Sequence, residues 1–163
     1  MTATYEKIAT TTLGSASATI TFSSITGTYT DFRLIYNSVN PSNQDTILIT
    51  FNGDTGNNYS STILGGNGTA AGSERRSTQP YIMVTNNYVN LTNGNGLFDF
   101  MNYSNTTTFK TVLMRTGNAA NSTVASVGLW RSTSAITSLS MAIGGGYTFG
   151  TGSTFTLYGI KSE

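Results

Sequence analysis

The chain has no histidine and no cysteine. Without histidine it lacks the side chain most used as a general base and as a metal ligand near neutral pH. Without cysteine it has no thiol nucleophile, no thiolate zinc site and no disulfide. Stability must come from packing and hydrogen bonds, and cysteine usage says nothing of redox compartment. Charge is scarce too. Charged residues make up 9% of the 163 positions and the net charge is +1, where an average domain carries about 25% charged residues. No strong field draws nucleic acid or anionic lipid to the surface. No apolar run approaches the roughly 18 residues of a membrane helix. The opening MTATYEKIATTT lacks the basic stretch and apolar run of a secretory signal. Neither nucleic acid nor membrane is expected as a partner.

What fills the chain instead is 30 Thr, 19 Ser, 16 Asn and 18 Gly, so its surface is wetted by hydroxyls and amides rather than ions. Apolar residues recur with a period of two. Ala16, Ala18, Ile20 and Phe22 alternate with polar residues, as do Phe32, Leu34 and Tyr36, then Ile47, Ile49 and Phe51. Phe98 and Phe100 flank Asp99, and Val112 and Met114 flank Leu113. Leu139, Met141 and Ile143 continue the pattern, followed by Phe155, Leu157 and Gly159. This period, rich in β-branched and aromatic types, predicts strands. No window keeps a helical apolar stripe. Turn residues separate the runs: Asn40-Pro41-Ser42, Asn52-Gly53-Asp54, Gly65-Gly66-Asn67-Gly68, Asn93-Gly94-Asn95-Gly96, Gly144-Gly145-Gly146 and Gly150-Thr151-Gly152. The expectation is an all-β chain with almost no helix. It is read as one antiparallel β-sandwich domain over residues 1–163, with about eight to ten strands. The last run, with Phe155, Leu157 and Ile160, should be an interior strand.

The longest stretch without alternation runs from Leu64 to Pro80 and holds Glu74-Arg75-Arg76. Two readings stand: a solvent loop, or an arm that orders on a partner, with Glu74, Arg75 and Arg76 as its contacts. Catalysis finds few materials. The acids are Glu6, Asp31, Asp45, Asp54, Glu74, Asp99 and Glu163, and nothing in their spacing pairs two of them across a sugar. No G-x-S-x-G elbow occurs. A Ser–Lys arrangement with Lys7, Lys110 or Lys161 is the remaining catalytic option. The segment Asn52–Asn58 offers oxygens to calcium but only one carboxylate, and reads first as a turn. The chain is read as a non-enzyme, with no catalytic residue, metal or cofactor. Trp130, Tyr81, Tyr88 and Tyr147 are the candidate platforms for stacking on a sugar.

The C-terminal stretch from Val127 to Glu163 runs VGLWRSTSAITSLSMAIGGGYTFGTGSTFTLYGIKSE. Its order is an LWRS strand, an AITSLSM strand, a glycine-rich turn and a GSTFTLYGIK strand. With YEKIATTTLGSASATITFSSI, TGTYTDFRLIYN and FNGDTGNNYS upstream, it resembles a group of small β-sandwich virion proteins of tailed bacteriophages. The resemblance implies a jelly-roll-like sandwich on the particle surface, assembled in the host cytoplasm. It implies a capsid cement or decoration protein that packs on the major capsid protein or another virion protein, commonly as a homotrimer. The alternative is a tail-associated receptor- or glycan-binding module on the same fold. The absence of coiled-coil heptads favours a compact cap over a complete fibre.

Overall fold

The computed structural model describes residues 4–39, 46–85, 94–118 and 122–161. The described residues form twelve strands: β1 Tyr5–Thr12, β2 Thr19–Phe22, β3 Asp31–Asn37, β4 Ile47–Phe51, β5 Tyr59–Gly66, β6 Ala71–Gln79, β7 Ile82–Met83, β8 Gly94–Met101, β9 Lys110–Asn118, β10 Thr123–Trp130, β11 Leu139–Ile143 and β12 Thr154–Ile160. The one helical element among them is a 3-10 turn at Gly144–Gly146. Eight strands make one sheet in the order β1-β12-β3-β8-β9-β10-β5-β6, and four make a second in the order β2-β11-β4-β7. Every pairing is antiparallel. The two sheets stack as a β-sandwich, as the alternation predicts, and it is jelly-roll-like, as the resemblance implies.

One cluster of buried side chains fills the space between the sheets. The large sheet contributes Phe32, Leu34 and Tyr36 from β3, Phe98 and Phe100 from β8, Val112 and Met114 from β9, and Phe155 and Leu157 from β12. The small sheet answers with Ile20, Phe22, Ile47, Ile49, Phe51, Leu139, Met141 and Ile143. Phe51 meets Phe100 edge to face across the gap, ring centroids 5.8 Å apart. Two glycines make room for large neighbours, Gly128 between the layers and Gly96 beside Tyr36 within the large sheet. A Cβ on Gly128 would lie 2.6 Å from Ile82 Cγ2, and one on Gly96 would lie 2.2 Å from Tyr36 Cε1. Neither position has room for a side chain. Two serines interrupt the apolar rows for a stated reason. Ser61 Oγ accepts from Met83 N and Ser126 Oγ donates to Val84 O, so both satisfy backbone beside short β7.

The turn at Asn52-Gly53 has φ of 53° and 68°, and Asp54 N bonds Phe51 O at 2.8 Å. Asn and Gly are the residues that accept such paired positive φ values. Elsewhere the structure departs from the sequence reading. Leu64 to Pro80 is neither loop nor arm: β5 and β6 form a hairpin there, turning at Asn67–Ala70. Its exposed edge strand buries neither face, so it leaves no alternation to read. Ala16 and Ala18 precede β2 and are exposed; the residue between them, Ser17, makes an isolated bridge to Phe149. Strand β12 is interior, paired with β1 and β3, but Ile160 points away from Phe155 and Leu157 and is half-buried. The expected turn at Asn40-Pro41-Ser42 and the acids Asp45 and Glu163 lie outside the described residues.

Candidate functional site

The carboxylates come first, because any acid–base or sugar-cleaving chemistry would need them. Each described carboxylate has its own partner. Glu6 accepts from Lys161 Nζ at 2.7 Å and from Tyr29 Oη at 3.1 Å, and these bonds hold it below the ordinary range. Asp31 Oδ1 accepts from Asn102 N at 2.6 Å. Glu74 pairs with Arg76. Asp99 pairs with Arg33, Nε to Oδ1, at 2.5 Å. None of them faces another carboxylate. Among the lysines, Lys110 donates to Thr108 O at 2.7 Å and Thr133 O at 3.2 Å, and burial lowers its pKa. Lys110 and Lys161 thus direct their ammonium groups at carbonyls and a carboxylate, not at a serine hydroxyl.

Asp54 is the most constrained of the acids. Trp130 Nε1 donates to Oδ2 at 2.6 Å, Asn58 Nδ2 to the same oxygen at 2.8 Å, and Gly56 N to Oδ1 at 2.8 Å. Burial alone would raise its pKa; the three N–H donors outweigh that and hold the carboxyl below its usual value. Tyr59 Oη adds a bond to Asp54 O at 3.1 Å. The segment Asn52–Asn58 therefore folds as a turn whose carboxylate is taken up by protein donors. Trp130 is 2% exposed and stacks on Tyr59 at 6.1 Å between centroids. Its indole is a core strut with a polar tip, and its face is not presented to solvent. Tyr81 is half-buried. Tyr147 is half-buried and packs against the core. Among the described residues neither ring pairs with another aromatic. Tyr88 lies outside the described residues. Among the described residues, Trp130, Tyr81 and Tyr147 make no ring contact with one another.

The structure puts an unforeseen feature in view on the outer face of the large sheet. The registers align Ile35, Leu97, Arg115, Ala125 and Leu64 across five neighbouring strands. The adjacent row reads Arg33, Asp99, Leu113, Val127 and Thr62. Ile35 is 42% exposed, Leu64 58%, Leu113 44% and Val127 45%. Leu64, Leu113, Ala125 and Val127 line a shallow groove of about 370 Å³ with Asp99 and Arg115 at its border. Arg75 stands on the same face at the sheet margin, opposite Thr62. Glu74 and Arg76 project from the other face of β6, so the three charged residues do not form one cluster. The sequence did carry a signal for this patch: Leu113 is apolar at the position that alternation assigns to solvent.

No protein-family model matches the chain, and no curated protein matches it. Among solved structures, the chain is similar to the galectin LEC-6 of Caenorhabditis elegans, with a TM-score of 0.39 and 9% identity over 87% of this chain and 92% of that one. It is also similar to a toad ovary galectin solved with thio-digalactose, with a TM-score of 0.39 and 12% identity over 87% of this chain and 99% of that one. A likeness this slight carries no inference about what the present chain binds.

Proposed function

We propose that this chain is a structural virion protein of a tailed bacteriophage, decorating the capsid and docking on shell subunits through the outer face of its eight-stranded sheet. The observation that carries the docking surface is the open apolar patch of Leu64, Leu113 and Val127 on β5, β9 and β10, with Ile35 further along the same face. Leu64, Leu113 and Val127 lie on three neighbouring strands and line one groove, which sets them apart from the singly exposed Tyr5, Met101 and Phe109 and marks a face that something covers. The virion setting comes from the resemblance of the Val127–Glu163 stretch. A non-catalytic role fits the carboxylates, each held by its own partner. The tail-borne glycan module is the weaker reading, because Trp130, its best platform, is inside the core.

The test is a reconstruction of the particle that encodes this chain, combined with a Leu113→Glu/Val127→Glu variant. The expected result is density on the shell with this sheet face inward. Copies per particle of the variant should fall at least about tenfold, since each buried apolar side chain is worth about 1.5–3 kcal/mol. Density at the tail tip, or full occupancy by the variant, would overturn the reading.

A further inference from the structure

Strand β6 ends the eight-stranded sheet, so one edge pairs with β5 and the other meets no strand among the described residues. It runs nine residues without proline, and most of its positions are exposed. An unpaired edge of that length is a template for another strand. Short edges, inward charges or proline usually blunt such a template, and here only the charges are present. Their order matters. Glu74 and Arg76 share one face and already bond each other within the strand. Arg75 points to the other face.

A two-fold axis normal to the sheet keeps each residue on its face, so β6 can pair with a copy of itself only in registers of like parity. Centred on Glu74 or on Arg76, such a register sets like charge against like. Centred on Arg75, it sets Glu74 opposite Arg76 of the second copy, and Arg76 opposite Glu74 of that copy. The flanking pair is then Ser73 with Ser77, and the bulge at Thr78, with φ of 59°, ends the regular stretch. The cost falls on Arg75, which meets its own counterpart on the wet outer face, where long side chains diverge and salt screens repulsion.

We propose that two copies of this chain associate through antiparallel β6–β6 pairing centred on Arg75, with reciprocal Glu74–Arg76 ion pairs, forming one continuous sheet. The inference stands on the edge and its charges and does not depend on the virion reading. The homotrimer expectation rests on the resemblance to particle-surface proteins, on strand edges that three copies could cover, and on an arm at Glu74-Arg75-Arg76. With those residues on a strand edge, the symmetry the edge itself favours is two-fold. The same axis places both outer sheet faces on one side of the dimer, which doubles the apolar surface available to a partner.

Sedimentation velocity across roughly 1–200 μM, a range that spans weak to moderate association, tests the proposal on three proteins. The parent chain should show a concentration-dependent monomer–dimer equilibrium. Glu74→Arg, which sets Arg against Arg76 of the second copy, should weaken dimerisation at least about tenfold. Glu74→Arg/Arg76→Glu restores opposite charges across the axis and should recover dimerisation to within about threefold of the parent. Circular dichroism should be the same for all three, since Arg76 is exposed and Glu74 is half-buried on the margin of the sheet, outside the core. A parent that stays monomeric or forms trimers would overturn the proposal. So would a dimer indifferent to Glu74→Arg, or a charge swap that fails to recover it.

Discussion

The two faces of the eight-stranded sheet use the same strands and the same pleat, yet obey different rules. On the inner face Phe32, Leu34, Phe98, Phe100, Val112, Phe155 and Leu157 are at most 1% exposed, and aromatic rings pack ring to ring. Glycines are placed where Tyr36 and Ile82 need room. On the outer face threonine and serine are frequent, and Ile35, Leu64, Leu113 and Val127 stand 42–58% exposed. The residue types overlap: Val112 and Leu113 are neighbours in β9 with similar hydrophobicity, and only one has a second layer over it. A residue's hydrophobicity thus sets how much burial is worth, and the partner layer decides whether that worth is realised.

The comparison breaks most visibly on removal of a ring. Phe100→Ala should cost about 3–5 kcal/mol, because the cavity sits among Phe32 and Phe51 and cannot collapse. Leu113→Ala on the outer face should stay within about 0.5 kcal/mol. Urea denaturation of both variants measures the difference. A cost above about 2 kcal/mol for Leu113→Ala would mean that this face is already covered in the isolated chain, and the docking proposal would lose its motive.

Next in size is the Asp54–Trp130 bond, the polar anchor of the inner face. Trp130→Phe keeps most of the ring but leaves the carboxylate short of its indole donor, which should cost about 1.5–3 kcal/mol. The anchor also sets a pH dependence. Asp54 is held below its ordinary pKa, so its contribution is complete above the unfolded value of about 4 and is lost as pH falls through the folded value. Asp54→Asn should flatten stability against pH below about 4. Tyr59 runs the other way. Its hydroxyl is buried and its pKa is pushed up to about 12. Its contribution is complete below the unfolded value of about 10 and is lost as pH rises toward the folded one. Tyr59→Phe should remove part of the alkaline slope. If either slope survives its substitution, the assigned group is not its source.

How much of this was legible depends on whether a second layer exists. In β3, β4, β8, β9, β11 and β12 one face is buried, so apolar residues mark it and the strands can be read from spacing alone. Strand β6 buries neither face, and its Gly, Ser, Glu and Arg residues look like loop. Only the pairing of Ile63 with Glu74 and Leu64 with Ser73 makes it a strand. Trp130 could be placed in the core by parity. Its bond to Asp54 could not, because 76 residues separate them and no local pattern links a turn acid to a distant indole. The outer patch was partly legible: Leu113 breaks the polar row of β9. Its continuation through Ile35, Leu97, Val127 and Leu64 requires the strand order, which alternation does not contain.

The smallest expected effect sharpens the contrast between the faces. Arg33 and Asp99 are directly opposite on β3 and β8 at the border of the outer patch, joined at 2.5 Å, with side chains 24% and 22% exposed. Tyr5 lies beside the guanidinium, 5.4 Å from ring centroid to Cζ. The bond to Asp99 raises the Arg33 pKa, and partial burial opposes it. A pair this open to water should couple by only about 0.3–1 kcal/mol, and salt should screen most of that. The Asp54–Trp130 bond has a neutral donor and a sheltered site, so added salt should leave it nearly unchanged. The measurement is a double-mutant cycle with Arg33→Gln and Asp99→Asn, run by urea denaturation at low and at high salt, beside Trp130→Phe under the same conditions. Coupling at Arg33–Asp99 that vanishes in salt, beside a cost of Trp130→Phe that salt leaves unchanged, would establish that the outer face is wet in the free chain. Coupling above about 2 kcal/mol that resists salt would show Arg33–Asp99 shielded as an inner-face pair is. The outer row would then be covered before any partner arrives.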